Sequence, residues 1–89
     1  MMDGLATMTD TEERVIRVIA ETQQIEPGKI RPDSSFEELG IDSFDGVNIL
    51  FSIENEFDIS VPDEAAKDLR GVADVVAGVD KLVAEKAGA

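Results

Sequence analysis

The sequence predicts an all-α protein, a four-helix bundle with a short third helix and a long loop between helices one and two. Apolar residues recur at spacings of three and four in the long segments, as on the buried face of an α-helix. Pro and Gly residues fall mostly between these segments, where they end helices, and no β-hairpin signal appears. A chain of 89 residues, 43% of them apolar, suffices for one such domain with one core.

The first helix is predicted to begin near Thr9, because Thr9 and Glu12 have the spacing of a capping box. Its apolar stripe comprises Val15, Ile16, Val18, Ile19 and, more weakly, Thr22. The Pro27-Gly28 pair ends the helix. Residues 1–8 show no periodicity and are expected to form a flexible leader. The predicted folded domain therefore covers residues 9–87.

A long loop is predicted from residue 24 to residue 40. Four apolar side chains are expected to attach it to the core: Ile25, Ile30, Phe36 and Leu39. Within it, residues 35–40 are typical of a single capped helical turn that ends at a glycine. Long loops in small domains are often functional, so this loop is a candidate part of a site.

The second helix is predicted to start at Asp42-Ser43 and to end near Phe57. At 100° per residue it has two apolar stripes on opposite sides. We assign one stripe to the core (Ile49, Ile53, Phe57) and expect the other to be a partly exposed docking face (Phe44, Val47, Phe51). The alternative is an ordinary buried helix in which neighbouring loops cover both sides.

The last two helices follow Pro62, which is tolerated in the first turn of a helix. The third is predicted to be brief and to end at Leu69, before Arg70-Gly71. The fourth has the most regular apolar stripe of the chain: Val72, Val75, Val76, Val79, Leu82 and Val83.

Composition excludes several classes of function. The chain has 20 acidic and 8 basic residues, a net charge of −12, so it should repel nucleic acid and seek basic protein surfaces. It lacks His and Cys, which removes the usual base of serine hydrolases, thiol chemistry and the commonest zinc ligands. No apolar run could span a bilayer. We therefore expect a cytoplasmic protein that is not an enzyme and has no metal site.

Ser43 stands at the predicted start of the second helix, where serine is most often only an N-cap. It cannot be a catalytic nucleophile by itself, since the chain has no histidine to act as its base. If Ser43 has a chemical role, another protein must act upon it.

Three sequence blocks in this order resemble the acyl carrier protein family: SSFEELGIDS at residues 34–43, IENEFDI at residues 53–59 and VPDE at residues 61–64. The resemblance covers about residues 9–86. It implies that a phosphopantetheinyl transferase attaches 4′-phosphopantetheine from coenzyme A to Ser43, with Asp42 in the surface that the transferase reads. The arm would carry acyl groups as thioesters in a fatty-acid, lipid or polyketide-type pathway.

The resemblance also implies a surface for acyl-loading and acyl-processing enzymes with basic docking patches. Phe44, Val47 and Phe51 match its exposed apolar positions, and Asp45 and Glu54 match its acidic positions. Ile49, Ile53 and Phe57 match positions that face an acyl-binding cavity. The chain is expected to act as a monomer.

Several residues depart from the pattern of fatty-acid carriers. Phe44 replaces the usual leucine, Asn48 and Asn55 replace common acidic residues, and Gly46 lowers helix propensity. They favour a specialised carrier. Two alternatives stay open at this point: a stand-alone aminoacyl or peptidyl carrier, and an unmodified acidic helical module that binds partners.

Overall fold

The computed structural model describes residues 8–88 and confirms the predicted all-α four-helix fold. Its helices are α1 (Asp10–Gln23), α2 (Ser43–Phe57), α3 (Asp63–Ala66) and α4 (Val72–Gly88), with a 3₁₀ turn at Pro27–Lys29. Within residues 8–88 there is no strand, only an isolated antiparallel bridge between Ser35 and Gly71. No helix in this range is long and apolar enough to span a membrane.

α1 begins with the predicted capping box. The Glu12 N–H donates to Thr9 Oγ1 at 3.0 Å, and the Thr9 N–H donates to Glu12 Oε1 at 2.8 Å. Residues 1–7 of the expected leader lie outside the described residues, while Met8 is partly buried against the core. The helix ends at Gln23, before Pro27, and the φ of its C-cap residue Gln24, 55°, is in the left-handed region.

α1 lies at the centre of the bundle and packs against both α2 and α4. The buried side chains of α1 are Val15, Ile16, Val18, Ile19 and Ala20. They meet Ile49 and Ile53 of α2 and the first four valines of the α4 stripe. Thr22, the weak member of the predicted α1 stripe, is exposed instead. The core is thus built from the apolar stripes of three helices.

The α4 stripe is buried only over its first half. Val72, Val75, Val76 and Val79 are buried, Leu82 is half-buried and Val83 is 38% exposed. The Thr11 hydroxyl donates to Asp80 at 2.8 Å, which places Asp80 beside the start of α1. The later residues of α4 therefore lie at the edge of the core, and Val83, the last member of the predicted stripe, is exposed.

The long loop is attached to the core as predicted. Ile30 is buried, and Ile25, Phe36 and Leu39 are partly buried against the core cluster. Ser35 and Glu38 cap the predicted turn reciprocally, at 2.9 and 3.1 Å, and the turn ends at Gly40, whose φ is 74°. The sequence did not predict the 3₁₀ turn at Pro27–Lys29.

α3 is shorter than predicted, because it ends at Ala66 rather than at Leu69. The chain then tightens into a turn and crosses the loop between α1 and α2. There the Phe36 N–H donates to the Arg70 carbonyl, and the Val72 N–H donates to the Ser34 carbonyl, both at 2.9 Å. These bonds and the bridge between Ser35 and Gly71 pair residues 70 and 71 with the loop, so the chain is no longer helical at Arg70.

Candidate functional site

Asp42, not Ser43, caps α2. Asp42 Oδ1 accepts the Asp45 N–H at 2.9 Å, and Ser43 is the first residue of the helix itself. The Ser43 side chain is exposed and makes no hydrogen bond with any residue that the structure describes. The simple interpretation of Ser43 as an N-cap is therefore wrong, and its hydroxyl is accessible to another molecule.

Two other serines near this position have structural partners. Ser34 is buried and its Oγ accepts the Arg31 N–H at 2.9 Å. Ser35 Oγ accepts the Glu38 N–H. Ser43 therefore differs from both neighbours, since its exposed hydroxyl takes no part in holding the fold. The first N–H groups of α2 lack intrahelical acceptors, so an anion attached to Ser43 would meet the positive end of a helix dipole.

Ser43 lies at the edge of a groove of about 760 Å³. The apolar part of its lining is Phe36, Ile41, Val47, Ile49, Leu50, Ile53, Ala66, Leu69 and Val75. Its charged lining is Glu37, Asp42, Lys67 and Arg70. A second groove of about 210 Å³ runs toward α4 and shares four lining residues with the first: Leu50, Ile53, Leu69 and Val75. The two grooves thus form adjoining apolar space beside Ser43.

The second apolar stripe of α2 is exposed, as predicted. Phe44 is 83% exposed, Phe51 59% and Val47 48%. The alternative in which loops cover both sides of α2 is therefore wrong. Three large apolar side chains along one helix face are a surface that a partner protein could cover.

The two acidic residues assigned to this surface have different surroundings. Asp45, in the first turn of α2, is half-buried and its carboxylate forms no ion pair among residues 8–88. Glu54 Oε2 accepts the Val61 N–H at 2.7 Å, so this carboxylate also holds the segment between α2 and α3. Sequence reasoning missed that second contact because it depends on how the chain returns after α2.

Phe57 does not line either groove, although Ile49 lines the first and Ile53 lines both. Its ring lies under the Arg14 guanidinium, whose central carbon is 4.4 Å from the ring centroid. Arg14 also pairs with Glu56 at 3.0 Å, which joins α1 to the end of α2. The expectation that Phe57 faces the cavity is wrong because this cluster holds the ring on the α1 side.

Lys67 and Arg70 are groove residues that sequence reasoning did not single out. Both follow α3, and both line the groove together with Ser43. The only signal in the sequence was the presence of two basic residues in a strongly acidic chain.

The chain is similar in sequence to known carriers over most of its length. It matches the family model described as "Phosphopantetheine attachment site" over residues 13–79, a range that includes Ser43. It is 44% identical over 72 residues to an acyl carrier protein of Akkermansia muciniphila, which covers 80% of this chain and 90% of that protein. It is 39% identical over 83 residues to an acyl carrier protein of Phenylobacterium zucineum, which covers 92% of this chain and 100% of that protein.

The fold has a counterpart among solved structures. The crystal structure of an acyl carrier protein from Thermotoga maritima superposes with a TM-score of 0.72 at 27% sequence identity. The superposition covers 86% of this chain and 95% of that one.

Proposed function

The chain belongs to the acyl carrier protein family, and we propose that Ser43 is the residue to which its covalent 4′-phosphopantetheine group is attached. The observation that carries the proposal is the state of this hydroxyl. Ser43 is exposed and is the first residue of α2, and its hydroxyl does not cap the helix. It also lines an apolar groove.

Attachment makes one bond and breaks another. Ser43 Oγ forms a phosphodiester with the pantetheine-bearing phosphate of coenzyme A, and the pyrophosphate bond breaks. Adenosine 3′,5′-bisphosphate leaves with the electron pair, and the hydroxyl proton passes to a base on the transferase. The contribution of this chain is to position the nucleophile Ser43 Oγ, because the start of α2 fixes the backbone of this serine.

The local geometry fits the product. A phosphodiester on Ser43 would lie next to the N–H groups of the α2 N-terminus, which favour an anion. Asp42 is already held by its capping bond, so its carboxylate has a fixed position in the surface that the transferase meets. When bound, the arm supplies a terminal thiol that holds acyl groups as thioesters, chemistry for which this cysteine-free chain has no side chain of its own.

The adjoining grooves are the proposed shelter for the acyl group. Ile49, Leu50 and Ile53 of α2, together with Leu69 and Val75, give an apolar floor, so a hydrocarbon chain would leave water on entering. Because Ser43 is exposed and lines the first groove, a cargo on an arm attached there could either enter the groove or reach out to an enzyme.

Partner enzymes are proposed to dock on Phe44, Val47 and Phe51, with Asp45 and Glu54 meeting their basic patches. The rest of the acidic surface would speed encounter, while exposed ion pairs add little to affinity. Weak, rapid docking suits a monomeric carrier that visits a transferase and several acyl-processing enzymes in turn. We propose that the carrier works in the cytoplasm, where coenzyme A is available, and serves a fatty-acid, lipid or polyketide-type pathway. We also propose that it has no catalytic activity of its own.

The carrier function is tested by loading the protein and then releasing the cargo. Purified protein is incubated with a broad-specificity phosphopantetheinyl transferase and pentanoyl-coenzyme A, and its intact mass is recorded. The proposal expects one acyl-phosphopantetheine adduct, from which hydroxylamine removes only the acyl group. An adduct that hydroxylamine leaves unchanged would contradict thioester carriage, and failure to gain any adduct would contradict the function.

A further inference from the structure

The cations of this chain fall into two groups. Arg14, Lys29, Arg31 and Lys86 each lie within 4.0 Å of a carboxylate. The other four, Arg17, Lys67, Arg70 and Lys81, form no such pair with any residue in the described part of the chain, although 20 acidic residues are present in the sequence. Arg17 lines neither groove and Lys81 lines only the second, which leaves Lys67 and Arg70 as the basic residues of the first groove. Both are exposed, and both line the groove at whose edge Ser43 lies.

The groove therefore has an electrostatic character unlike that of the chain. Its four charged lining residues are Glu37, Asp42, Lys67 and Arg70, two of each sign, so their charges sum to zero where the whole chain has −12. The Asp42 carboxylate is engaged as the α2 cap. The basic pair belongs to the segment that follows α3, whereas Ser43 belongs to α2.

This arrangement is not what a plain hydrocarbon cargo requires. An apolar chain gains from the floor of the groove but nothing from two cations at its wall. An oxyanion gains from both, because charge-assisted hydrogen bonds to Lys and Arg offset its loss of hydration. The loaded arm offers two sources of an oxyanion: its phosphodiester and a carboxylate on the cargo. A phosphodiester on Ser43 would lie next to the N–H groups at the start of α2, which favour an anion, so it would have less need of Lys67 and Arg70.

We propose that Lys67 and Arg70 form an oxyanion site in the groove, and we assign its ligand to a carboxylate at the free end of the acyl cargo. The preferred cargo is then a dicarboxylic acyl group whose methylene chain lies on the apolar floor. This inference rests on the proposed function, since the cargo is tethered through Ser43.

The test compares two cargoes of equal carbon number, glutaryl and pentanoyl, which differ in the terminal carboxylate. Each is loaded from its coenzyme A thioester by a phosphopantetheinyl transferase, and loading is verified by intact mass. The rate at which hydroxylamine cleaves the thioester is then measured, because a cargo bound in the groove should be cleaved more slowly. Each rate is divided by that of the same acyl group on free pantetheine, which removes the difference in intrinsic reactivity.

Two double variants separate a local effect from a general charge effect. Lys67→Gln/Arg70→Gln removes the basic pair, while Arg17→Gln/Lys29→Gln removes two exposed cations that line neither groove. Both take the net charge from −12 to −14. Urea unfolding of each loaded variant shows that the fold is kept.

We expect the wild type to protect the glutaryl thioester more than the pentanoyl thioester. Lys67→Gln/Arg70→Gln should reduce glutaryl protection roughly three- to tenfold, the effect of losing two partly solvated pairs, and leave pentanoyl protection unchanged. The control should change neither. If Lys67→Gln/Arg70→Gln reduced the protection of both thioesters equally, the cations would be assigned to the phosphodiester and the proposal would be wrong. The proposal would also be wrong if the variant reduced the protection of neither thioester. A wild type that loads both cargoes but protects them equally overturns this inference alone, whereas a chain that accepts no arm overturns the proposed function as well.

Discussion

Glu54 Oε2 accepts a hydrogen bond from the Val61 backbone N–H at 2.7 Å, and this contact ties α2 to the segment that leads into α3. Val61 and Pro62 line the second groove, so the same contact sets the position of part of its wall. Glu54 thus has a structural role in addition to its proposed role at the partner surface.

Replacing Glu54 separates these roles. Glu54→Ala removes the acceptor and should lower the free energy of unfolding by about 1–2 kcal/mol, the range for a hydrogen bond to a charged group. Glu54→Gln keeps a hydrogen-bond acceptor, so it should lower the free energy of unfolding less than Glu54→Ala does. Because it removes the negative charge, it should also slow association with a basic partner. Asn55→Ala, at an exposed neighbouring position, is the control. Urea unfolding measures the free energy of unfolding of each variant. If Glu54→Ala and Asn55→Ala lowered it equally, the structural role of the Glu54–Val61 hydrogen bond would be contradicted.

Asp42 should show a comparable separation between capping and recognition. Asn is as good an N-cap as Asp, so Asp42→Asn should keep the free energy of unfolding, whereas Asp42→Ala should lose about 1 kcal/mol. If the transferase reads the carboxylate, kcat/KM for attachment falls severalfold with Asp42→Asn, although stability is unchanged. An Asp42→Asn protein that is modified at the wild-type rate would show that the carboxylate serves the helix alone.

Gly71 is required by the close approach of two backbone segments. A Cβ at this position would lie 2.7 Å from the Ser34 carbonyl oxygen, where the bridge between residues 34–36 and 70–72 is formed. We expect Gly71→Ala to lower the free energy of unfolding by about 1–3 kcal/mol. Gly46→Ala is the matched control, since its Cβ meets nothing within 4 Å and should stabilise α2 by about 0.5–1 kcal/mol. Chemical unfolding of both variants measures whether the free energy of unfolding falls for Gly71→Ala and rises for Gly46→Ala.

Asp58 and Lys86 form a pH-dependent link between the end of α2 and the end of α4. Lys86 Nζ donates to the Asp58 carboxylate at 2.5 Å, and this bond and the ammonium charge hold the pKa of Asp58 below its ordinary value of 3.8. A carboxyl with a lowered folded-state pKa stabilises the fold above its unfolded-state pKa. That contribution is lost as the pH falls from about 3.8 through the folded-state value.

Lys86→Gln should therefore raise the pKa of Asp58 toward 3.8, and NMR titration of the carboxyl carbon measures the change. The stability difference between wild type and variant should shrink at acidic pH. Lys81→Gln, another cation of α4, should leave the titration of Asp58 unaltered, and an identical shift in both variants would point to general charge rather than to this bond.

Local patterns in the sequence predicted much of the fold. The capping box of Thr9 and Glu12, the two stripes of α2 and the valines of α4 depend on residues a few positions apart, which sequence spacing captures directly. The exposed Phe44, Val47 and Phe51 were predicted for the same reason. A helix of this small bundle can bury only one of two opposite stripes.

Contacts between distant segments could not be predicted in this way. Arg14 pairs with Glu56, 42 residues away, and this pairing draws Phe57 from the expected cavity to the α1 side. The bridge between Ser35 and Gly71, which follows α3, likewise joins segments that are far apart in the sequence. The cap of α2 is a local contact, but Asp and Ser are both favoured N-cap residues, so only the structure shows that Asp42 rather than Ser43 performs the capping.

The most direct test of the central claim is the intact mass of the wild type, Ser43→Ala and Ser35→Ala after incubation with coenzyme A and a broad-specificity phosphopantetheinyl transferase. The wild type and Ser35→Ala should each gain one phosphopantetheine, and Ser43→Ala should gain none while it remains folded. A Ser43→Ala protein that still gained the group, or a wild type that did not, would contradict the assignment of Ser43 as the attachment residue.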